Sequence, residues 1–357
     1  MSLKSVLKLI GGLVFLAAFY LLLWPTPVAP VVWQPSPDPG LTGDFLPNTE
    51  LTRVEHLVNG IGEGPEDITL GRDGYFYTGL QDGRIMRFRD DQQPEEYANT
   101  GGRPLGMQFD ADGNLIVTDA FRGLLSVAGD GVIKVLTDSV NGQKMLFPDD
   151  LDIAADGTIW FSDASTRFDM NNSVYLMLEG SATGRLISYS PATSKTQVEL
   201  DELFFANGVA LGPADEYVLV TETGNGRIHR LWLKGEGKGQ RDLFFDGLPA
   251  FPDNLSFNGE DIFWVALPKI RIALIDDLAG SPFIRKVLSR LPESLLTGPD
   301  SSYGFFIGLD LNGYIRYNIQ DPAGAYGTIT SVNQFGDSLY LGSIAMHSVG
   351  RLPVPAP

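Results

Sequence analysis

One unit recurs through most of this chain: a polar turn ending in glycine, a β-rich run, a second turn with glycine, and another short strand. Asp73-Gly74 leads Tyr75-Phe76-Tyr77 and then Gly83-Arg84-Ile85, and Asp112-Gly113 leads Leu115-Ile116-Val117 and then Gly123-Leu124-Leu125. Asp156-Gly157 leads Thr158-Ile159-Trp160-Phe161 and then Gly184-Arg185-Leu186. Tyr217-Val218-Leu219-Val220 precedes Gly226-Arg227-Ile228, and Asp261-Ile262-Phe263-Trp264-Val265 precedes Arg271-Ile272-Ala273. Leu339-Tyr340-Leu341-Gly342 and Gly350-Arg351-Leu352 close the series. Short apolar runs bounded by turn residues are strands, and a repeat of roughly 40–60 residues is the length of a propeller blade. The six units therefore predict an all-β fold, a six-bladed β-propeller. Leu51 to Val58 is expected to lend the last blade its outer strand and close the ring.

The units share a phase. Seven residues ahead of the turn aspartates Asp73 and Asp156 stand Glu66 and Asp149, each opening a strand start with alternating apolar residues. Asn207-Gly208-Val209 matches with one extra residue, Asp253-Asn254-Leu255 matches as well, and the second and sixth units carry Leu105 and Thr330 there. Equivalent positions at the entry to innermost strands converge on a propeller's channel. Glu66, Asp149, Asn207 and Asp253 would then ring one point, where three carboxylates and an amide repel unless a cation sits among them. An all-oxygen set of irregular geometry suits Ca²⁺ better than Mg²⁺ or zinc. Asn254 is placed to reach the same ion, or else closes the turn after Pro252.

Composition narrows the chemistry. The 357 residues include no Cys, so disulfides, thiolate metal sites and a Cys nucleophile are excluded. His56, His229 and His347 are far apart and read as structural, with His347 nearest a channel-facing strand. A net charge of −18 argues against nucleic acid as a partner. No G-x-S-x-G occurs, so an esterase built on a nucleophile elbow is not supported. Asp110-Ala111-Asp112-Gly113-Asn114 lacks the closing Glu of an EF-hand and reads as a hairpin turn. The glycine-rich Gly60 to Gly64 leads into a strand, not a phosphate-binding helix.

Three regions follow: a signal-anchor helix over 1–25, a Pro-rich stalk over 26–50, and the propeller over 51–357 with a helical insertion near 276–297. Leu9 to Trp24 is uncharged and apolar behind Lys4 and Lys8, and no small-residue cleavage site follows it. That favours an uncleaved anchor with the N-terminus cytoplasmic and the propeller on the outer (periplasmic, extracellular or luminal) side. A cleaved signal would make the protein secreted. Within the insertion, Phe283, Ile284, Val287, Leu288 and Leu291 fall on one helical face, with Arg285, Lys286 and Arg290 opposite. This 282–291 helix is expected either to lie on an anionic bilayer or to cover one propeller face.

Several stretches carry a resemblance: Gly64-Pro65-Glu66, Gly102-Arg103-Pro104-Leu105-Gly106, Ile159-Trp160-Phe161-Ser162-Asp163, Met177-Leu178-Glu179-Gly180, Asn207-Gly208-Val209 and Phe251-Pro252-Asp253-Asn254. With them the chain resembles the strictosidine synthase-like branch of the calcium-dependent six-bladed propellers, and within it the adipocyte plasma membrane-associated proteins. Gluconolactonases (the senescence marker protein family) and paraoxonases are its wider relatives. The resemblance implies a catalytic calcium held by Glu, Asn, Asn and Asp at the four positions above. Asp149 stands where that pattern has asparagine, adding a negative charge at the ion. Leu105 replaces the paraoxonase histidine, so a His dyad is not implied. Thr330 replaces the glutamate of strictosidine synthase, and 328–334 holds no carboxylate, so alkaloid condensation is not expected.

A calcium ion with open positions polarises a carbonyl and stabilises the oxyanion, and a carboxylate can activate water. Asp253 is the candidate base and ligand, and Asp149 the second choice; Glu66 and Asn207 would fix the ion. The expected reaction is hydrolysis of a lactone or an aryl or carboxylic ester by a lactonase or arylesterase, with a phosphotriesterase as the alternative. A non-enzymatic binding propeller with a structural metal is the competing class. Leu105, Arg103, Trp160, Phe251 and Thr330 are candidate substrate contacts, as are Phe168, Trp264, Tyr303 and Arg167, although aromatic residues at strand ends more often pack between blades.

Overall fold

Six four-stranded antiparallel sheets follow one another along the chain. In this computed structural model, which describes residues 2–89, 92–296 and 302–355, they form a six-bladed β-propeller. Met1, Thr297 and 356–357, where the anchor, insertion and propeller were drawn to begin or end, lie outside the described residues. The first strands of the blades are Ile68–Leu70, Pro104–Phe109, Pro148–Ile153, Ala206–Leu211, Leu255–Phe257 and Ile329–Phe335. Each touches the next, and the sixth touches the first, so they line a closed central channel.

Alternation along the second strands explains why the sheets stack. In blade five, Phe263 and Val265 pack toward blade four, whereas Ile262, Trp264 and Ala266 pack toward blade six. In blade two, Leu115 and Val117 face blade one and Ile116 faces blade three. A strand covered on both faces reads as an unbroken apolar run. Six apolar clusters result, one per blade interface. Each fully buried Leu, Ile or Phe in them contributes about 2 kcal/mol. The outer strand of blade six is Glu55–Leu57, paired antiparallel with Val349–Pro353 and clasped by an Arg351–Glu55 ion pair at 2.8 Å.

The chain divides into two compact units. The propeller unit comprises Ser36–Met170, Ala182–Arg271 and Ser301–Pro357. The other, helical unit comprises Met1–Pro35, Asn171–Ser181 and Ile272–Asp300. It holds helices α1 (Leu3–Leu23), α2 (Ser173–Glu179), α3 (Ala273–Asp277) and α4 (Pro282–Leu288). At about 1.5 Å per residue, the 21 residues of α1 span about 30 Å, enough to cross a bilayer as a single-pass anchor, and none of them is buried.

The Pro-rich segment has no regular structure as far as a 3-10 turn at Gly43–Phe45, and it does not stand free. Ala29 N–H donates to Glu179 Oε2 and Val31 N–H to Glu179 O within the helical unit. Within the propeller unit, Arg271 donates to the Ser36 and Pro37 carbonyls and Gln320 to that of Phe45. Helix α4 also differs from the expected pattern. It ends at Leu288, short of the expected Leu291, and only Lys286 of the basic residues faces outward: Arg285 is 1% exposed and Arg290, in the turn after the helix, 8%, while Phe283 is 68% exposed. Arg285 is drawn inward to the carbonyl ends of α2 and α3, and its guanidinium donates to Leu178 O, Glu179 O, Leu278 O and Ala279 O.

Candidate metal centre in the channel

Each candidate ligand sits at the entry to a first strand: Glu66 and Asp253 two residues before Ile68 and Leu255, Asp149 and Asn207 inside irregular strand starts. Pairing in blade three jumps from Pro148↔Asp163 to Leu151↔Phe161, and in blade four from Ala206↔Glu222 to Val209↔Val220. Asp149 and Asn207 lie in those bulges, which re-aim side chains that a regular pleat would turn into the blade interface. Leu105 and Thr330 occupy the same irregularity in blades two and six. Proline precedes Glu66, Leu105, Asp149 and Asp253, fixing φ at a point where no ladder N–H is needed.

The geometry brings three carboxylates together. One oxygen from each of Glu66, Asp149 and Asp253 lies within 4.8 Å of the others. Asn207 hydrogen-bonds to Asp253, and the Asn254 amide donates to Glu66 Oε1 at 2.9 Å. Neighbouring hydroxyls fix the backbone behind them. Thr330 Oγ1 and Ser331 Oγ donate to Glu66 O at 2.8 and 2.9 Å, Thr118 Oγ1 to Asp149 O, and Thr221 Oγ1 to Asp253 O at 3.0 Å. Gly208 follows Asn207 because a Cβ there would collide with the Asp253 carbonyl.

Electrostatics and hydrogen bonding point to the same chemistry. Burial first, and then the charge of Asp253, pushes the Glu66 and Asp149 carboxyls well above their usual range. Burial lifts Asp253 to about 7 against the hydrogen bond from Asn207. Glu66 Oε2, Asn207 Oδ1 and Asn254 Oδ1 are buried with no hydrogen-bond partner. Such orphans are expensive and rare. Asp67 and Asp150, one residue along, make a contrast. Asp67 accepts from Met107 N–H and Asn333, and Asp150 from Val209 N–H and Leu151 N–H, beside a 170 Å³ cavity farther along the channel. Oxygen donors that are buried, acidic and unpartnered fit a hard divalent cation such as calcium held by Glu66, Asp149, Asn207, Asp253 and Asn254.

The other sequence candidates divide. Arg103 is buried rather than on the surface: its Nη1 donates to Gly64 O at 3.0 Å, its Nε has no partner, and its charge lowers Glu66 and Asp149. Thr330 is buried, and its hydroxyl donates to the Glu66 carbonyl. Trp160 packs into the interface of blades three and four, and Trp264 is fully buried with Nε1 donating to Gln334. Tyr303 bonds Gln320 against the core between blades four and five. Arg167 stacks over Phe168, itself buried. His56 pairs with Ser348 and His229 with Glu222, and His347 is exposed in a loop. The Asp110 turn is a hairpin, with Asn114 N–H bonded to Asp110 Oδ1.

Sequence reasoning named Leu105 and Phe251 but missed Phe147 and Phe205, which make with them an apolar collar at the strand entries. Phe147, Phe205 and Phe251 stand two residues before Asp149, Asn207 and Asp253, a repeat visible in the chain once aligned on the ligands. Leu105, Ala120, Phe147 and Ala164 form one cluster with Phe205 against it, and the Phe147 and Phe205 rings lie 5.6 Å apart. Phe205 is held at φ 66°, an uncommon and strained value for a bulky residue.

Comparison with known proteins accords with this architecture. The profile described as strictosidine synthase matches residues 149–236, and that described as strictosidine synthase-like, N-terminal, matches 43–88. Strictosidine synthase-like 6 of Arabidopsis thaliana is 34% identical over 318 residues, covering 85% of this chain and 82% of that protein. The human adipocyte plasma membrane-associated protein is 33% identical over 360 residues, covering 94% and 86%. The chain belongs to the strictosidine synthase-like family. Its fold is shared more widely: a gluconolactonase from Xanthomonas campestris superposes with a TM-score of 0.63 at 18% identity, covering 93% of this chain and 99% of that one. Regucalcin from Agrobacterium tumefaciens, described as a calcium-binding protein, gives 0.58 at 12%, covering 84% and 90%.

Proposed function

We propose that this protein is a membrane-tethered, calcium-dependent hydrolase of lactones or aryl and carboxylic esters. The observation that carries the reading is the trio of buried, unpartnered oxygens of Glu66, Asn207 and Asn254 around three mutually repelling carboxylates. The gluconolactonase and regucalcin likenesses support the class, and the name of the human relative supports the membrane tether. A bound Ca²⁺ supplies Lewis acidity toward a substrate carbonyl and the oxyanion formed from it. Glu66, Asn207 and Asn254 hold position. Asp253, less buried than Glu66, Asp149 and Asn207, takes the proton from water at its carboxylate, and Asp149 is the reserve base. The phenylalanine collar orients an apolar acyl or aryl group and excludes bulk water. Helix α1 tethers the chain, with Lys4 and Lys8 on the cytoplasmic side.

The test is a screen of aryl acetates, γ- and δ-lactones and paraoxon, with calcium or EGTA, on the wild type and Asp253→Asn. Ester or lactone turnover that EGTA abolishes and Asp253→Asn lowers by about 10²-fold or more, with the fold kept, is the expected result. Turnover of paraoxon alone would make the enzyme a phosphotriesterase. No turnover by calcium-loaded protein would leave a binding propeller.

A further inference from the structure

Helix α4 is built inside out for a protein surrounded by water. Arg285 and Arg290 point into the helical unit, while Phe283 and Ile284 are 68% and 46% exposed with Lys286 beside them. Two buried guanidinium groups opposite an exposed Phe283–Ile284 pair suit a helix whose outer surroundings are apolar. The buried side is fully occupied: Arg285 serves the carbonyl ends of α2 and α3 and stacks 4.2 Å over Trp33. A rotation of α4 that hid Phe283 would give up the Arg285 bonds to Leu178 O and Ala279 O.

What lies outside is indicated by the neighbour of α4. Tyr20 Oη donates to Arg290 O at 2.8 Å, Arg290 Nε donates to Trp24 O, and Thr26 Oγ1 meets Ser289 Oγ at 2.8 Å. These bonds fasten α4 to the end of α1. A groove of 460 Å³ lined by Leu22, Leu23, Trp24, Phe283 and Lys286 makes the two surfaces continuous. Tyr20 and Trp24 are the residues expected at headgroup level where a spanning helix leaves the bilayer.

We infer that α4 is a second membrane contact, lying in the interface of the leaflet from which α1 emerges. Phe283 and Ile284 enter the acyl boundary, and Lys286 meets lipid phosphate. One spanning helix leaves a protein free to swivel; a second point of insertion fixes the helical unit against the bilayer. The inference rests on the reading of α1 as an anchor, and the experiment separates the two.

The chain has no Cys, so single cysteines report cleanly. Full-length protein carrying Phe283→Cys, Leu13→Cys or Asp112→Cys is nitroxide-labelled and reconstituted in phosphatidylcholine vesicles with or without phosphatidylserine. Collision with oxygen is compared with collision with a water-soluble nickel chelate. The expected oxygen-to-nickel ratio at 283 is several-fold above that at 112 and approaches that at 13. A label at 283 as open to nickel as that at 112, with 13 in lipid, overturns the α4 contact alone. A label at 13 in water overturns the anchor beneath it. Spin–spin broadening at 283 that unlabelled protein dilutes away would mean a second copy covers the face, which also overturns the proposal.

Discussion

The Asn254 side chain donates to Glu66 Oε1 at 2.9 Å and so ties the entry of blade five to that of blade one across the channel. That single bond uses one oxygen of the carboxylate and the amino group of the amide. Glu66 Oε2 and Asn254 Oδ1 are left buried without partners. The pair is oriented for a third group and would be a liability without one.

Calcium should therefore stabilise the fold. At a hundredfold excess over Kd, a ligand that binds only the folded state adds about 2.7 kcal/mol, on the order of 4 °C in a chain of this size. Thermal melts in calcium and in EGTA should differ by that amount. Glu66→Gln keeps the shape and removes the charge, so its two melts should nearly coincide. Coinciding wild-type melts would contradict the assignment.

Arg103 bears on the extra charge of Asp149. Three carboxylates balance one divalent ion and one guanidinium, and Arg103 is the buried cation whose field acts on both Glu66 and Asp149. Arg103→Gln should raise calcium affinity about tenfold, by removing a like charge beside the ion, while destabilising the metal-free protein. Asp149→Asn should lower affinity by a similar factor. The double variant should bind nearly as the wild type does, and calorimetric titration of all four proteins checks the cycle.

The blade repeat was legible because strands packed on both faces must be apolar throughout, as in Ile262-Phe263-Trp264-Val265. The ligand phase was legible because the strand-entry bulge recurs at a fixed distance from the turn. Arg103 and α4 were not legible. A cation on a strand entry looks like surface, and helical periodicity cannot say which face turns inward when carbonyl ends of other helices lie there. Two of the hydroxyls that brace the ligands, Thr118 and Thr221, stand in the pairs Thr118-Asp119 and Thr221-Glu222 at the ends of second strands. Their meaning depends on the neighbouring blade, as with Thr221 and the Asp253 carbonyl.

The collar predicts a selective defect. Phe205 packs 5.6 Å from Phe147 and is held at a strained φ by Thr223 N–H, which donates to its carbonyl. Phe205→Ala removes the ring but leaves the ligands in place. Its kcat/KM for phenyl acetate should fall about tenfold, mainly through KM, and that for a small γ-lactone should change less. Equal losses on both substrates would mean the ring acts only through the fold.

Glu222 gives blade four a pH dependence of known sign. Its Oε1 accepts from Phe204 N–H and Asn225, and its Oε2 from Arg227 and from His229 at 2.7 Å. Burial alone would raise this carboxyl, but the bonds from His229 and Arg227 prevail and hold it at about 2, against 4.5 for a free glutamate. The folded state therefore binds this proton less readily than the unfolded chain. The stabilisation, about 3 kcal/mol, is complete above pH ~5 and disappears as pH falls toward ~2. Glu222→Gln should be less stable than the wild type by about that amount at pH ~7, the two converging in strong acid. Denaturant unfolding of both proteins in EGTA, across the acid range, measures the difference free of any bound metal. A gap that stayed constant with pH would show that the carboxylate's charge is not what secures the turn.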